Sequence, residues 1–140
     1  LDSSVIIGLF TGDDTAEEIL ARVIDHSPAI NDIVFSEVVY KSMILKFLES
    51  EGTFNLKKFK SDIGKYVYLY KKFCEFCDDL DIDFLVITDE VTRVAGSLAA
   101  HYKLLPNDAL IAATCKHYGI SKIASFDPDF TRIEFLEIIK

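Results

Sequence analysis

A chain of 140 residues in which half of the side chains are hydrophobic can bury one core and is too apolar to stay disordered. The formal net charge of −8 argues against a surface covered with basic patches for nucleic acid. No apolar run is long enough to span a bilayer, and no secretory signal is visible, so we expect no membrane association. Three cysteines, an odd number, are typical of reduced thiols. These features predict one cytoplasmic domain over residues 1–140.

The first third of the chain contains short apolar runs and helical patterns. Val5-Ile6-Ile7 is compatible with a strand or a helix, because period alone cannot separate the two in so short a run. Thr15 and Glu18 form a capping box, which predicts an amphipathic helix over about 15–25. Ala29-Ile30, after a proline, predicts a short buried strand.

The middle of the chain is predicted to be helical. Asn31 or Asp32 can cap a helix after the strand at 29–30. Its expected buried side consists of Val38, Val39, Leu45 and Leu48. A second helical pattern covers 54–80, with a break near Gly64.

The last part of the chain alternates strands with helices. Residues 84–87 predict a buried strand, and Thr88 caps the helix after it. That helix is expected to pack Val91, Val94, Ala95, Leu98 and Tyr102. Another helix over 108–118 would end at Gly119.

Two further strands are predicted at 122–126 and 134–139. Strands that alternate with helices are typical of a mainly parallel sheet flanked by helices on both faces. The sequence therefore predicts a three-layer α/β fold.

Four acidic residues each lie near the end of a predicted strand or the start of a helix: Asp2, Glu37, Asp108 and Asp127. Strand ends that share one edge of an α/β sheet bring distant residues into a single crevice. Carboxylates in one crevice repel each other, and a hard divalent cation such as Mg²⁺ or Mn²⁺ is their natural partner. This pattern favours a metal-dependent phosphodiesterase. In the alternative, Asp108 is a plain helix cap and Asp127-Pro128-Asp129 an ordinary turn.

The motifs around these acids resemble those of one family. The segment 105–114, Leu-Pro-Asn-Asp-Ala-Leu-Ile-Ala-Ala-Thr, and the segment 123–130, Ile-Ala-Ser-Phe-Asp-Pro-Asp-Phe, are the more specific ones. Leu1-Asp2-Ser3-Ser4-Val5 and Ser36-Glu37-Val38 are weaker and stand in the right order. Together they resemble a PIN-domain ribonuclease, above all the small VapC-type toxins of bacteria and archaea.

The resemblance implies roles for the acidic residues. Asp2 and Asp108 would bind Mg²⁺ or Mn²⁺ directly, and Asp127 would hold a water on that ion. Glu37 would position the nucleophilic water or a second ion. Asp129 is a possible fifth member of the set.

The resemblance also concerns the N-terminal segment. Ser4 and Ser125 match small hydroxyl residues that hydrogen-bond within the acidic pocket. The first strand of the family would end at Asp2, with a helix from about Ser4 to Phe10. We therefore expect residues of that strand upstream of Leu1.

A basic arm lies within the acidic chain. Residues 41–72 contain eight lysines and only three acidic residues. The arm has three compatible uses: it could clamp an RNA backbone, hold a protein antitoxin or form a homodimer through Tyr66, Tyr68 and Tyr70. It could also be a solvated helical hairpin. Lys41, Lys46, Lys57 and Lys58 are the RNA-binding candidates, and Tyr40, Phe47 and Phe59 are expected in the core.

Other chemistries are poorly supported by the sequence. Cys74 and Cys77 have the spacing of half a zinc site, but no second pair of ligands follows, so we expect both thiols on a helix face. The three histidines accompany no nucleophile motif. No glycine-rich phosphate loop is present, so a nucleotide cofactor is not expected.

Three functions remain open. The first is a metal-dependent endoribonuclease, the dimeric toxin of a toxin–antitoxin pair. The second is a non-catalytic binding module on the same fold. The third is a housekeeping RNA-processing or DNA nuclease with the same pocket.

Overall fold

Seven α-helices and four short strands make up the fold in a computed structural model that describes residues 1–140. The helices are α1 (Ser3–Thr11), α2 (Asp14–Val23), α3 (Asp32–Glu51), α4 (Leu56–Asp62), α5 (Tyr68–Asp79), α6 (Asp89–Tyr102) and α7 (Pro106–His117). The strands are β1 (Ala29–Asn31), β2 (Asp83–Leu85), β3 (Lys122–Ala124) and β4 (Glu137–Ile139). Short 3₁₀ turns cover Ile24–His26, Ile63–Lys65 and Pro128–Arg132.

All strand pairing is parallel, as predicted, but the strands form two pairs instead of one continuous sheet. β1 pairs with β2, and β3 pairs with β4. Between the pairs, the Leu1 nitrogen donates to the Ala29 carbonyl at 2.7 Å, and the Asp2 N–H donates to the Ala124 carbonyl at 2.9 Å. These bonds place Asp2 next to the end of β3.

Two hydrophobic clusters join the helices to the strands. The larger contains 25 buried residues, which run from Ile6 in α1 to Leu136 before β4. The smaller joins α1, α2 and β3 through Val5, Ala16, Ile19, Val23 and Ala124. Strand pairs packed against helices confirm the α/β class. No helix combines the length and hydropathy needed to cross a membrane.

Two local predictions in the first half of the chain were wrong. Asp13, not Thr15, caps α2, because its carboxylate accepts from the Thr15 and Ala16 N–H groups. In α3, Val38 and Val39 are buried as expected, but Leu45 and Leu48 are only partly buried, and Met43, which was not expected, is buried. Val39, Met43 and Phe47 are buried at a spacing of four residues, so they lie on one face of the helix and Leu45 lies beside that face.

The prediction of a buried strand at 84–87 was also wrong in part. β2 is present, but Phe84 is 47% and Val86 is 63% exposed. β2 pairs only with β1, so one of its edges has no neighbouring strand. An apolar run indicates that a segment can be buried. Which of its side chains are buried depends on the helices and strands that pack against each face.

The basic arm, residues 41–72, covers the second half of α3, all of α4 and the start of α5. The predicted break near Gly64 is the 3₁₀ turn Ile63–Lys65. Phe47 and Phe59 lie in the core, whereas Tyr40 is half exposed, against the prediction. Tyr66 is buried, which removes it from the surface proposed for a dimer. Cys74 and Cys77 are free thiols on α5, as predicted from their helical pattern.

Candidate active site

Four predicted acids from distant parts of the chain line one cleft of about 420 Å³. Asp2 precedes α1, Glu37 lies on α3, Asp108 lies in the first turn of α7, and Asp127 follows β3. The rest of the lining consists of Ser3, Ser4, Lys41, Leu105, Pro106 and Asn107. A larger cavity of about 560 Å³ lies between the two strand pairs, but Glu137 is its only acidic lining residue. The smaller cleft is therefore the candidate site.

Asp2 is a buried carboxylate with one oxygen fully engaged. Its Oδ2 accepts hydrogen bonds from Ser4 Oγ at 2.6 Å, from Ser125 Oγ at 2.7 Å and from the Ser4 N–H at 3.4 Å. Its Oδ1 accepts none of these bonds. The two serines thus orient Asp2 so that Oδ1 is available to a ligand in the cleft.

Asp108 is a half-buried carboxylate that accepts no hydrogen bond from the protein. The pKa of this carboxyl is raised from its ordinary 3.8 to about 6, and burial is the largest cause. The neighbouring negative charges of Asp127, Asp2, Glu37 and Asp129, in that order, account for the rest of the rise. Leu105 is the residue before α7, and Asp108 makes no capping bond, so the helix-cap alternative does not account for it.

Asp127 and Asp129, at the 3₁₀ turn after β3, have different partners. Asp127 lines the cleft, and its Oδ1 accepts the Asp129 N–H at 2.8 Å. Asp129 instead forms an ion pair with Arg132 and does not line the cleft. Asp129 therefore does not contact the cleft, and its charge is the weakest of the four that raise the pKa of Asp108.

Glu37 is contacted by side chains that the sequence reasoning missed. Ser3 Oγ donates to Glu37 Oε2 and Asn107 Nδ2 donates to Oε1, each at 2.7 Å. Lys41 Nζ lies 3.2 Å from Ser3 Oγ. The only signal in the sequence was position, since Ser3 and Asn107 are polar residues directly beside Asp2 and Asp108.

The cleft has the chemistry of a site for a hard divalent cation. Its candidate ligands are all carboxylate oxygens, and a cation would offset their mutual repulsion. No three His, Cys, Asp or Glu side chains converge closely enough to form a complete coordination cage. Mg²⁺ does not need such a cage, because it keeps several waters and binds through one or two carboxylates. Asp2 and Asp108 have free oxygens suited to direct contact.

A parallel α/β fold with several carboxylates in one cleft is typical of a metal-dependent nuclease. Comparison with known proteins gives the family: the PIN domain model matches residues 1–136. Ribonuclease VapC6 of Methanocaldococcus jannaschii is 40% identical over 148 aligned residues, which cover 100% of this chain and 95% of that protein. Ribonuclease VapC2 of the same organism is 36% identical over 149 aligned residues, which cover 99% of this chain and 91% of that protein. No solved structure matches significantly. The chain belongs to the PIN domain family, and its predicted likeness to VapC proteins is confirmed.

Proposed function

We propose that this protein is a metal-dependent endoribonuclease of the VapC type and the toxin of a toxin–antitoxin pair. One observation carries the proposal: Asp2, Glu37, Asp108 and Asp127 lie around a single cleft although they are far apart in the chain. The full-length similarity to two proteins named ribonucleases supports RNA as the substrate.

The chain's own side chains divide the work in the cleft. Asp2 Oδ1 and the Asp108 carboxylate would hold Mg²⁺ or Mn²⁺, and Asp127 would orient a water beside it. When bound, the cation lowers the pKa of an attacking water and neutralises charge on the phosphate. Glu37, which lines the same cleft, would orient the attacking water towards phosphorus.

Two of the four lysines predicted to bind RNA form ion pairs within the protein, and two do not. Lys46 is paired with Glu49 at 2.8 Å, and Lys58 is paired with Glu51. Lys41 lines the cleft and Lys57 is exposed, and neither forms an ion pair. Of these four lysines, we therefore propose Lys41 and Lys57 as contacts to the RNA backbone.

The remaining partners are also proposals. A protein antitoxin is the partner expected of a VapC-type toxin, and the exposed Tyr68 and Tyr70 leave α5 open to it or to a second copy of the chain. We propose that the protein acts as a homodimer in the cytoplasm.

The test is cleavage of a panel of structured RNAs by purified protein with Mn²⁺ or Mg²⁺, with EDTA, and by the Asp108→Asn variant. Asp25→Asn is the matched control, because it removes the same charge from an exposed residue outside the cleft. We expect cleavage by the parent and by Asp25→Asn with metal, and none with EDTA or by Asp108→Asn.

Two results would contradict the proposal. Cleavage by Asp108→Asn at the parent's rate would mean a contaminating nuclease or a different site. Thermal stabilisation by millimolar Mn²⁺ without cleavage of any RNA would favour a binding module, since a bound ligand raises stability whether or not catalysis follows.

A further inference from the structure

Glu37 is the one carboxylate of the cleft whose two oxygens both accept hydrogen bonds from other side chains. The donors are neutral, so they orient the carboxylate without neutralising it. We infer that Ser3 and Asn107 are positioning residues that fix Glu37 for the chemical step. This inference rests on the proposed ribonuclease function.

The chain positions of the donors favour this role. Ser3 directly follows Asp2, and Asn107 directly precedes Asp108, so each donor adjoins one of the two proposed metal ligands. Glu37 comes from a third element, α3, and lies in a cleft open to solvent. A glutamate side chain there can adopt several rotamers, and two hydrogen bonds, one to each oxygen, favour one of them. The bonds thus fix Glu37 relative to Asp2 and Asp108.

Lys41 determines that Ser3 is the donor in its hydrogen bond to Glu37. An ammonium group can only donate hydrogen bonds, so Lys41 Nζ donates to Ser3 Oγ at 3.2 Å. The single hydroxyl proton of Ser3 is then directed at Glu37 Oε2, 2.7 Å away. Ser3 is almost fully buried, which limits competition from water for this bond.

The first test is the steady-state kinetics of Asn107→Ala and Ser3→Ala at saturating Mn²⁺, with thermal melts to verify folding. We expect kcat to fall roughly ten- to a hundredfold, as for other groups that orient a functional residue. KM for RNA and the Mn²⁺ affinity measured by calorimetry should change less than about twofold, because neither residue is proposed to bind metal or RNA. Ser3→Thr retains the hydroxyl and should recover most of the activity, and the exposed Ser97→Ala should match the parent.

The second test asks whether Asn107 acts through Glu37. In a Glu37→Ala background, Asn107→Ala should cause no further loss of kcat, because the group it positions is gone. A second loss of the same size would mean that Asn107 contacts the substrate itself, and the inference would be wrong. An unchanged kcat for Asn107→Ala in an active parent would also overturn it.

A third measurement separates this inference from the proposed function. In metal-free protein, the Asn107 side-chain amide signals in an NMR spectrum, identified by their loss in Asn107→Ala, should shift in Glu37→Ala. A parent that cleaves RNA while these signals stay unmoved would refute the positioning of Glu37 alone. A parent that cleaves no RNA while they shift would refute the ribonuclease function, and the role in its chemical step with it.

Discussion

Asp2 and Glu37 lie in the same cleft with different sets of hydrogen-bond donors. The donors to Asp2 all bind Oδ2, which leaves Oδ1 for a cation. The donors to Glu37 are divided between both oxygens, which suits a group that orients a water. Loss of a hydroxyl that binds Asp2 should therefore lower the metal affinity, whereas loss of the hydroxyl that binds Glu37 should lower kcat.

Ser125→Ala should weaken metal binding. Ser125 is fully buried, and its hydroxyl donates to Asp2 Oδ2 at 2.7 Å. Loss of a group that orients a metal ligand typically costs roughly 10–100-fold in affinity, and we expect that loss for Mn²⁺ measured by calorimetry. Ser97→Ala, on the exposed face of α6, should leave the affinity unchanged. Equal Mn²⁺ affinities for Ser125→Ala and the parent would argue against Asp2 as a ligand.

Asp108→Asn should stabilise the metal-free protein at neutral pH. The pKa of Asp108 is about 6 in the folded protein against an ordinary 3.8, so the folded state binds its proton more tightly than the unfolded state. The free energy of unfolding therefore falls as the pH rises from about 4 to about 6, and it stays lowered above that range. Asparagine removes this penalty. Since Asp108 is partly exposed, we expect a gain of only about 1 kcal/mol.

Urea unfolding in EDTA at about pH 7.5 and about pH 4 tests this expectation. The advantage of Asp108→Asn over the parent should be present at the higher pH and nearly absent at the lower. Asp25→Asn reports the general effect of removing one negative charge. If Asp25→Asn gave the same gain, repulsion within the cleft would not be the cause.

At the scale of elements, α1 and α2 approach each other unusually closely at Gly8. A Cβ atom on Gly8 would lie 2.8 Å from Ala16 Cβ and 3.3 Å from a ring carbon of Phe126. Ala16 is fully buried and its Cβ is attached directly to the backbone of α2, so it cannot rotate away. The contact matters for the site because the N-terminal end of α1 carries Asp2, Ser3 and Ser4.

Gly8→Ala should lower the free energy of unfolding by about 1–2 kcal/mol, since overpacking outweighs the gain in helix propensity. Gly96 is the matched control: it lies inside α6, and nothing is within 4 Å of an added Cβ. Gly96→Ala should raise the free energy of unfolding by roughly 0.5–1 kcal/mol. Denaturation in urea gives both values, and a stabilised Gly8→Ala would show that the two helices separate easily.

The sequence predicted many individual elements because their signals are local. Asn31 and Thr88 cap the helices that they were expected to cap, and Gly119 ends α7 with a positive φ of 69°. The exposure of Phe84 and the burial of Tyr66 could not be predicted this way, because both depend on which elements lie opposite them. The bonds from Ser3 and Asn107 to Glu37 depend equally on distant parts of the chain.

At the scale of the whole molecule, positive charge is concentrated on one arm of a chain with a net charge of −8. Lys57 and Lys60, on α4, are exposed and form no ion pair, whereas Lys46 and Lys58 are paired with Glu49 and Glu51. The unpaired lysines can displace counterions from RNA without first losing a protein partner.

Lys57→Met combined with Lys60→Met should weaken RNA binding and its dependence on salt. For single-stranded RNA, the slope of log affinity against log salt concentration should become shallower by about 1.4, because each phosphate contact contributes about 0.7. Lys46→Met combined with Lys58→Met changes the net charge equally and should reduce the slope less. Filter binding with Asp108→Asn, at several salt concentrations, avoids cleavage during the measurement. Equal reductions for both pairs would show that ion pairing does not select the RNA contacts.

The candidate site was predictable mainly from the order and spacing of its four motifs. Asp2 and Glu37 stand in weak motifs. Their positions near predicted strand and helix ends, together with their resemblance to PIN domains, were needed to group them with Asp108 and Asp127. A cleft built from distant segments leaves little local signal, because no single helix or strand contains enough of it.

The four acids of the site also fall into two pairs along the chain. A cut in the turn at Asp81, between α5 and β2, would leave Asp2 and Glu37 on one piece and Asp108 and Asp127 on the other. Each piece would also carry one strand of the β1–β2 pair, so pairing would guide their reunion. Each piece lacks two of the four acids, so neither piece alone should cleave RNA, and cleavage would report that the two pieces have associated.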